Sequence, residues 1–165
     1  GAKIYIQNVR PGISTTDQRE DGCEAAAADR GLEVVRIDYN ENDANNAQQQ
    51  TAAVLQANPD IVGMFATNTF GALGAGAAIE AAGLAGSVQV ALFDASEENI
   101  GYLRDGTVSL VIAQKPADMG YMGVIMQMAA ARGYTSVPKR VPTGYFVFTA
   151  ENVDDPNNAK FIYTG

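Results

Sequence analysis

The sequence predicts an α/β domain: an open, mostly parallel, doubly wound sheet with helices on both faces. Three observations predict it. Short β-rich runs alternate with helical patterns along nearly the whole chain. Glycines stand where helices should stop, at Gly31, Gly83 and Gly106. The length, 165 residues, suits one domain able to bury about 70% of its unfolded surface. Strand–helix alternation implies parallel pairing through right-handed crossovers.

Strands are expected at residues 3–7, 33–38, 61–67, 88–93, 108–113 and 145–149. Helical stretches are expected near 16–30, 43–57, 70–82, 96–104 and 117–132. In the second of these, Ala47, Thr51, Val54 and Leu55 repeat at helical spacing. In the third, "GALGAGAA" (71–78) offers small residues that allow close helix–sheet packing. The fifth, "PADMGYMGVIMQMAAARG", has almost no polar face, because Met119, Tyr121, Met122, Val124, Ile125, Met126 and Met128 surround it. A helix apolar all round wants burial on more than one side, so a partner surface is expected for it. The tail "AENVDDPNNAKFIYTG" is polar and proline-punctuated, and reads as an irregular surface segment or a strap.

Composition narrows the chemistry. Eleven basic against 19 acidic residues give a net charge of −8, with no basic cluster to contact phosphates. That argues against nucleic acid or an anionic membrane as partner. The absence of histidine removes imidazole acid–base chemistry and the commonest metal ligand. Cys23 stands alone, so no internal disulfide is possible, and its alanine-rich setting fits a buried small side chain. No apolar run approaches membrane-spanning length. The opening "GAKIYIQ" looks like a strand inside a larger protein, and no signal peptide is visible.

In an open parallel sheet, ligands bind beyond the carboxyl ends of the strands. The polar residues that follow those ends are Asn68 after "IVGMFAT", Asp94 after "VALF" and Gln114 after "VSLVIA". The first strand leads into "NVRPGISTTDQRE", which places Arg19 in the opening turn of the first helix. All four groups are expected on one rim. Two amides, a carboxylate and a guanidinium supply donors and acceptors together, a mixture suited to a polyhydroxylated neutral molecule. Arg19 could clamp two oxygens through its fork, and Asp94 could accept from adjacent hydroxyls. Each residue also has a structural reading. Asp94 or Ser96 could cap the helix that follows, and Asn68 is a natural turn residue. Gln114 could simply end a strand, and Arg19 could be a solvated helix charge.

Other motifs fail. "GALGAGAA" has the spacing G-x-x-G-x-G and lies in a helix, unlike a dinucleotide fingerprint. There is no G-K-[ST] phosphate loop and no G-x-S-x-G elbow, and Ser14 and Ser96 have no histidine to activate them. Asp154 and Asp155 are tail charges, and no metal-ligand spacing exists. No enzyme, cofactor or metal is expected.

The chain resembles the sugar-binding proteins of bacterial ABC importers, the type I periplasmic binding proteins of the ribose-binding group. The segments that carry the resemblance are "PGISTTDQREDG", "QANPDIVGMFATNTFGALGA", "VQVALFDASEENIGYLRDGTVSLVIAQKPADMGYMG" and "VPTGYFVFTAENVDDP". The resemblance implies two α/β lobes with the sugar between them and a hinge at the crossing segments. It implies that residues 1–114 form the carboxyl-side sugar-binding lobe. Residues 115–142, Met-rich and helical, would belong to an amino-side lobe absent from this chain, and 143–165 would be a return strand and strap. It carries the family's guanidinium contact to Arg19 in "STTDQREDG" and its amide to Asn68 in "FATN". Its carboxylate falls on Asp94 in "FDAS", and its hinge-adjacent amide on Gln114 in "IAQKP". Two departures concern sugar identity. Many relatives carry Asn-Asp where this chain has Asn68-Thr69, followed by Phe70. The aromatic stacking position of some relatives falls on Asn42, with Tyr39 nearby. Asn42 and Phe70 are therefore additional candidate ligand contacts.

The implied function is the solute-binding component of an importer, holding a neutral monosaccharide or polyol and delivering it to a membrane permease. The implied location is periplasmic or extracellular. The alternative is the effector lobe of a lac-repressor-like transcription regulator, which an upstream helix-turn-helix would mark. A flavodoxin-like or Rossmann-like enzyme is a third reading, which turnover assays would test. With half a cleft and an uncovered helix, the fragment is expected to bind weakly and to dimerise or exchange elements.

Overall fold

The computed structural model describes residues 1–163. The chain runs β1 (Lys3–Asn8), α1 (Ser14–Asp29), β2 (Glu33–Tyr39), α2 (Ala44–Ala57), β3 (Ile61–Ala66), α3 (Thr69–Ala81), β4 (Gln89–Phe93) and α4 (Glu97–Arg104). It continues through β5 (Leu110–Ala113), α5 (Pro116–Ala131) and β6 (Phe146–Phe148) to a short 3-10 turn at Ala159–Phe161. The sheet order is β2-β1-β3-β4-β5-β6. The pairs from β2 through β5 are parallel, and β6 joins β5 antiparallel.

The order reverses once. The chain steps from β1 outward to β2, then crosses back to β3 and continues to β5. Right-handed crossovers then put α1 on one face and α2, α3 and α4 on the other. The carboxyl ends of β1 and β3 flank the switch point, where a crevice opens. The main core lies under α2–α4 and includes Ile79, Leu92, Val90, Ile100, Val111 and Phe148, all fully buried.

Local chemistry sets the boundaries. Asp43, Asn68 and Ser96 cap α2, α3 and α4 by accepting from the amides of Asn46, Gly71 and Asn99. Gly31, Gly83 and Gly106 follow α1, α3 and α4 with φ of 66°, 65° and 80°, the left-handed stop read from the sequence. Helix α1 starts at Ser14, two residues before the expected start, so Arg19 sits in its second turn and not its opening one. The fifth strand begins at Leu110 rather than 108, although Ser109 still donates to the Val90 carbonyl.

The glycines of α3 do serve close packing, but mostly against helices rather than the sheet. A Cβ on Gly74 would lie 2.4 Å from the Ala44 carbonyl oxygen and 2.5 Å from the Ala47 Cβ, both in α2. One on Gly76 would lie 2.4 Å from the Tyr102 ring in α4. Gly71 alone faces the sheet side, near Gln7 and Asn40.

Helix α5 buries none of its residues within the described chain. Tyr121 and Val124 are 69% and 55% exposed. The tail is a strap. Phe161 stacks on Phe146 at 4.5 Å between ring centres, Val153 is buried, and Tyr163 pairs with Ser96 in an isolated parallel bridge.

Candidate functional site

The carboxyl ends of β1–β5 carry a polar rim, and its centre is Asp94. This residue is buried, and its φ of +78° is unusual for any residue but glycine. Asp and Asn tolerate that region better than most side chains. The left-handed turn brings the carboxylate back over the sheet end. Oδ1 accepts from Gln114 Nε2 at 2.6 Å and from the Tyr163 hydroxyl at 3.3 Å, and Oδ2 accepts from the Thr69 hydroxyl at 2.8 Å. Asn99 Nδ2 donates to the Asp94 backbone carbonyl at 2.8 Å, tying the turn to α4. The cap of α4 is Ser96, so Asp94 is free of that duty.

Arg19 reaches the same rim from α1. Nη1 donates to the Thr67 carbonyl at 2.7 Å, and the guanidinium lies 3.6 Å above the Phe93 ring centre. Both contacts use the planar fork that lysine lacks. Burial lowers the Arg19 pKa, and the nearby Asp94 charge opposes that.

Asn68 carries two duties at once. Its Oδ1 accepts from the Gly71 amide at 3.1 Å as the cap of α3, and its Nδ2 donates to Asn42 Oδ1 at 3.0 Å. Asn42 is exposed with φ of +64°, and its amide donates to Asn40 Oδ1 at 2.8 Å. Asn42 and Asn68 line a cavity of about 300 Å³ with Val9, Arg10, Thr16 and Glu41, at the switch-point end of the rim. Phe70 is 41% exposed in the first turn of α3. Tyr39 turns its hydroxyl to Glu20 at 3.4 Å.

The four residues picked from strand topology thus share one rim in two linked groups. Asp94 and Gln114 are in direct contact. Arg19 holds the carbonyl of Thr67, next to Asn68, and Thr69 on the other side of Asn68 holds Asp94. Among the described residues no hydrogen bond joins Arg19 or Asn68 directly to Asp94.

Beneath the rim lies a buried polar layer that the sequence reading missed. Thr67 Oγ1 donates to Asn8 Oδ1 at 2.6 Å, and Asn8 Nδ2 donates to Glu20. Gln7 Nε2 donates to the Tyr5 hydroxyl at 2.9 Å, and its Oε1 accepts from Asn40 Nδ2 at 3.1 Å. The Tyr5 hydroxyl donates to Asp38 at 3.2 Å. Burial first, then the Asp38 charge, push the Tyr5 pKa well up, so the phenol stays protonated as donor. The strand-end rule that found Asn68 and Asp94 would have found Asn8 and Asn40, which end β1 and follow β2. Nothing local in "AKFIYTG" points to Tyr163, because its partners lie 49 and 69 residues away.

A doubly wound parallel sheet with a polar rim at its strand ends has the form in which open α/β sheets bind small molecules. The chain belongs to the periplasmic binding protein domain family, whose model matches residues 1–135. It is 32% identical over 124 residues to the ribose import binding protein of Salmonella typhimurium, a match covering 75% of this chain and 42% of that protein. A solved ABC transporter solute-binding protein from Agrobacterium vitis, bound to α-D-tagatopyranose, is 42% identical with a TM-score of 0.95. That match covers 99% of this chain and 55% of the solved one. A carbohydrate transporter solute-binding protein from Agrobacterium radiobacter, in complex with D-arabinose, is 31% identical with a TM-score of 0.92 over 98% of this chain and 55% of that one. The chain therefore spans about half the length of its relatives.

Proposed function

We propose that this chain is the carboxyl-side lobe of the solute-binding component of an ABC importer, and that it holds a neutral monosaccharide or polyol by hydrogen bonds. The observation that carries this reading is the Asp94 carboxylate, held at the rim by Gln114, Thr69 and Tyr163 beside Arg19. A carboxylate accepts hydroxyl protons and a guanidinium donates to hydroxyl oxygens, so the pair grips a sugar without needing charge on it. Arg19, Asn68, Asp94 and Gln114 are the proposed ligand contacts, with Asn42 and Phe70 at the margin of the cavity. No bond is made or broken; capture proceeds by closure of a second lobe over the rim, in the periplasm, before delivery to a membrane permease.

Residues 1–114 form the sugar-binding lobe in this proposal. Residues 115–142 cross to the other lobe, which supplies the surface that α5 lacks, and 143–163 return as β6 and the strap. Exposure of Tyr121, Val124 and Ile125 on α5 supports that assignment. Without that lobe, the chain is expected to self-associate through α5. The decisive experiment is calorimetry on the intact two-lobed protein with a panel of pentoses, hexoses and polyols. Arg19→Ala or Asp94→Ala should weaken binding by about 1.5–3 kcal/mol or more, the worth of hydrogen bonds to charged groups. Unchanged affinity in both variants refutes the site.

A further inference from the structure

The tail of the chain ends its described course at the binding rim, not away from it. Tyr163 donates its amide to the Ala95 carbonyl at 2.8 Å, which fixes the backbone beside the Asp94 turn. Its hydroxyl accepts from the Gln114 backbone amide at 2.6 Å and donates to Asp94 Oδ1 at 3.3 Å. The phenol is half-buried, and burial is the first cause that pushes its pKa up to about 12. It therefore stays protonated and keeps donating across ordinary pH.

The geometry has a consequence for the carboxylate. Oδ1 carries the Gln114 and Tyr163 donors, while Oδ2 carries the Thr69 donor. Donors on both oxygens fix the rotation of the carboxylate plane. Rotation decides which lone pairs remain for a ligand, and so which arrangement of hydroxyls fits. Phe161, two residues earlier, stacks on Phe146 at the start of β6, which anchors the strap independently of the site.

We infer that Tyr163 is a positioning residue for ligand selectivity: the carboxyl-terminal strap sets the orientation of Asp94 through the Tyr163 hydroxyl and couples it to Gln114. This rests on the proposed sugar-binding reading and deepens it. A residue outside the matched family domain, which ends at 135, then tunes the site that the family domain provides.

The test compares the intact protein with Tyr163→Phe and Asp154→Ala. The first removes one hydroxyl. The second breaks the exposed Arg104–Asp154 ion pair of 2.8 Å and loosens the strap away from the site. Calorimetry uses epimer pairs: D-tagatose and D-fructose, D-ribose and D-arabinose, D-allose and D-glucose. Tyr163→Phe should weaken the preferred sugar about 5- to 20-fold, because the Asp94 carboxylate loses one of the donors that fix its rotation. It should also shrink the preference within that sugar's epimer pair, with the melting temperature lowered by only about 2–4 °C for the two part-buried hydrogen bonds lost. Asp154→Ala should leave affinity and preference as they are. Two results overturn the inference: Tyr163→Phe with preference unchanged, whatever its affinity, or Asp154→Ala shifting preference equally. If the unaltered protein binds none of these sugars, nor any pentose, hexose or polyol of the wider panel, the receptor reading fails and this inference with it. If the unaltered protein binds and Tyr163→Phe matches it, only the role of the strap fails.

Discussion

Replacing Asp94 by Asn, Gly and Ala separates two contributions that the native residue combines. The backbone there sits at φ of +78°, and the side chain accepts from three groups. In Asp94→Ala both are lost. An alanine in the left-handed region costs about 1–2 kcal/mol. Leaving the Gln114, Thr69 and Tyr163 donors without their carboxylate costs about 1–3 kcal/mol, reduced because each of them is only partly buried and can find water. The expected total is about 2–5 kcal/mol. Asp94→Gly loses the same partners without the backbone strain, so it should be more stable than the alanine variant by about 1 kcal/mol. Asp94→Asn keeps an acceptor and tolerates the backbone, and should lose about 1–2 kcal/mol. Urea unfolding followed by circular dichroism orders them. With a slope of about 2 kcal/mol per molar, each kcal/mol moves the midpoint by about 0.5 M. An alanine variant at least as stable as the glycine variant refutes the strain argument. All three matching the unaltered chain refutes the claim that the rim hydrogen bonds stabilise the fold.

Gly74→Ala should lower stability by about 1–3 kcal/mol, since its methyl meets α2 backbone atoms at 2.4 Å and 2.6 Å. Gly101→Ala, helical and facing open space, should raise it by about 0.5–1 kcal/mol, and thermal melts of the two should move in opposite directions. Arg19→Lys should bind sugar at least about tenfold more weakly than the parent in the intact protein, because a lysine cannot both donate to the Thr67 carbonyl and lay a planar group on Phe93; equal affinity would show that charge alone suffices. Alkali should destabilise the chain through its buried phenols. Tyr163 ionises near pH 10 unfolded and near 12 folded, so its contribution is full below pH 10 and is lost as pH rises toward 12. Chemical denaturation across that range should show the loss reduced in Tyr163→Phe, and an unchanged alkaline limb would count against the shift.

Alternation of strands and helices was legible because the strands of a covered parallel sheet are short and largely apolar and glycines follow α1, α3 and α4. The common rim position of Asn68, Asp94 and Gln114 was legible for a related reason. A polar residue directly after a buried strand must emerge at the sheet end, and topology turns those ends to one side. Asn68 shows why the structural and functional readings could not be separated locally. The same amide caps α3 with its oxygen and faces the cavity with its nitrogen, held by Asn42. The surroundings of "GALGAGAA" were misassigned because small residues announce a close approach without naming the neighbour. Gly74 meets α2 and Gly76 meets Tyr102. Tyr163 and the pairing of Asn8 with Thr67 rest on contacts between distant parts of the chain, which leave no periodic signal.

The pairing of the rim residues with one another bears on how such a site discriminates. A carboxylate offers about four acceptor positions, and at Asp94 three are taken by protein donors. A ligand hydroxyl therefore meets a group whose free direction is already fixed. It need not order the side chain on arrival, and the entropy of doing so is not charged against binding. The same logic holds for Arg19, whose plane is set by Phe93 and whose Nη1 is set by Thr67, leaving the other face of the fork to donate. Fixed donors and acceptors reject a sugar that presents a hydroxyl in the wrong place, because the unmatched group stays desolvated and unpaired. In the proposed sugar site, the departures from the usual pattern, Thr69 beside Asn68 and no aromatic at Asn42, would act on selectivity through orientation. Thr69 spends its hydroxyl on Asp94 rather than on the ligand, and Asn42 spends its amide oxygen on Asn68. Each hydrogen bond thereby constrains a neighbour that the proposal assigns to the ligand.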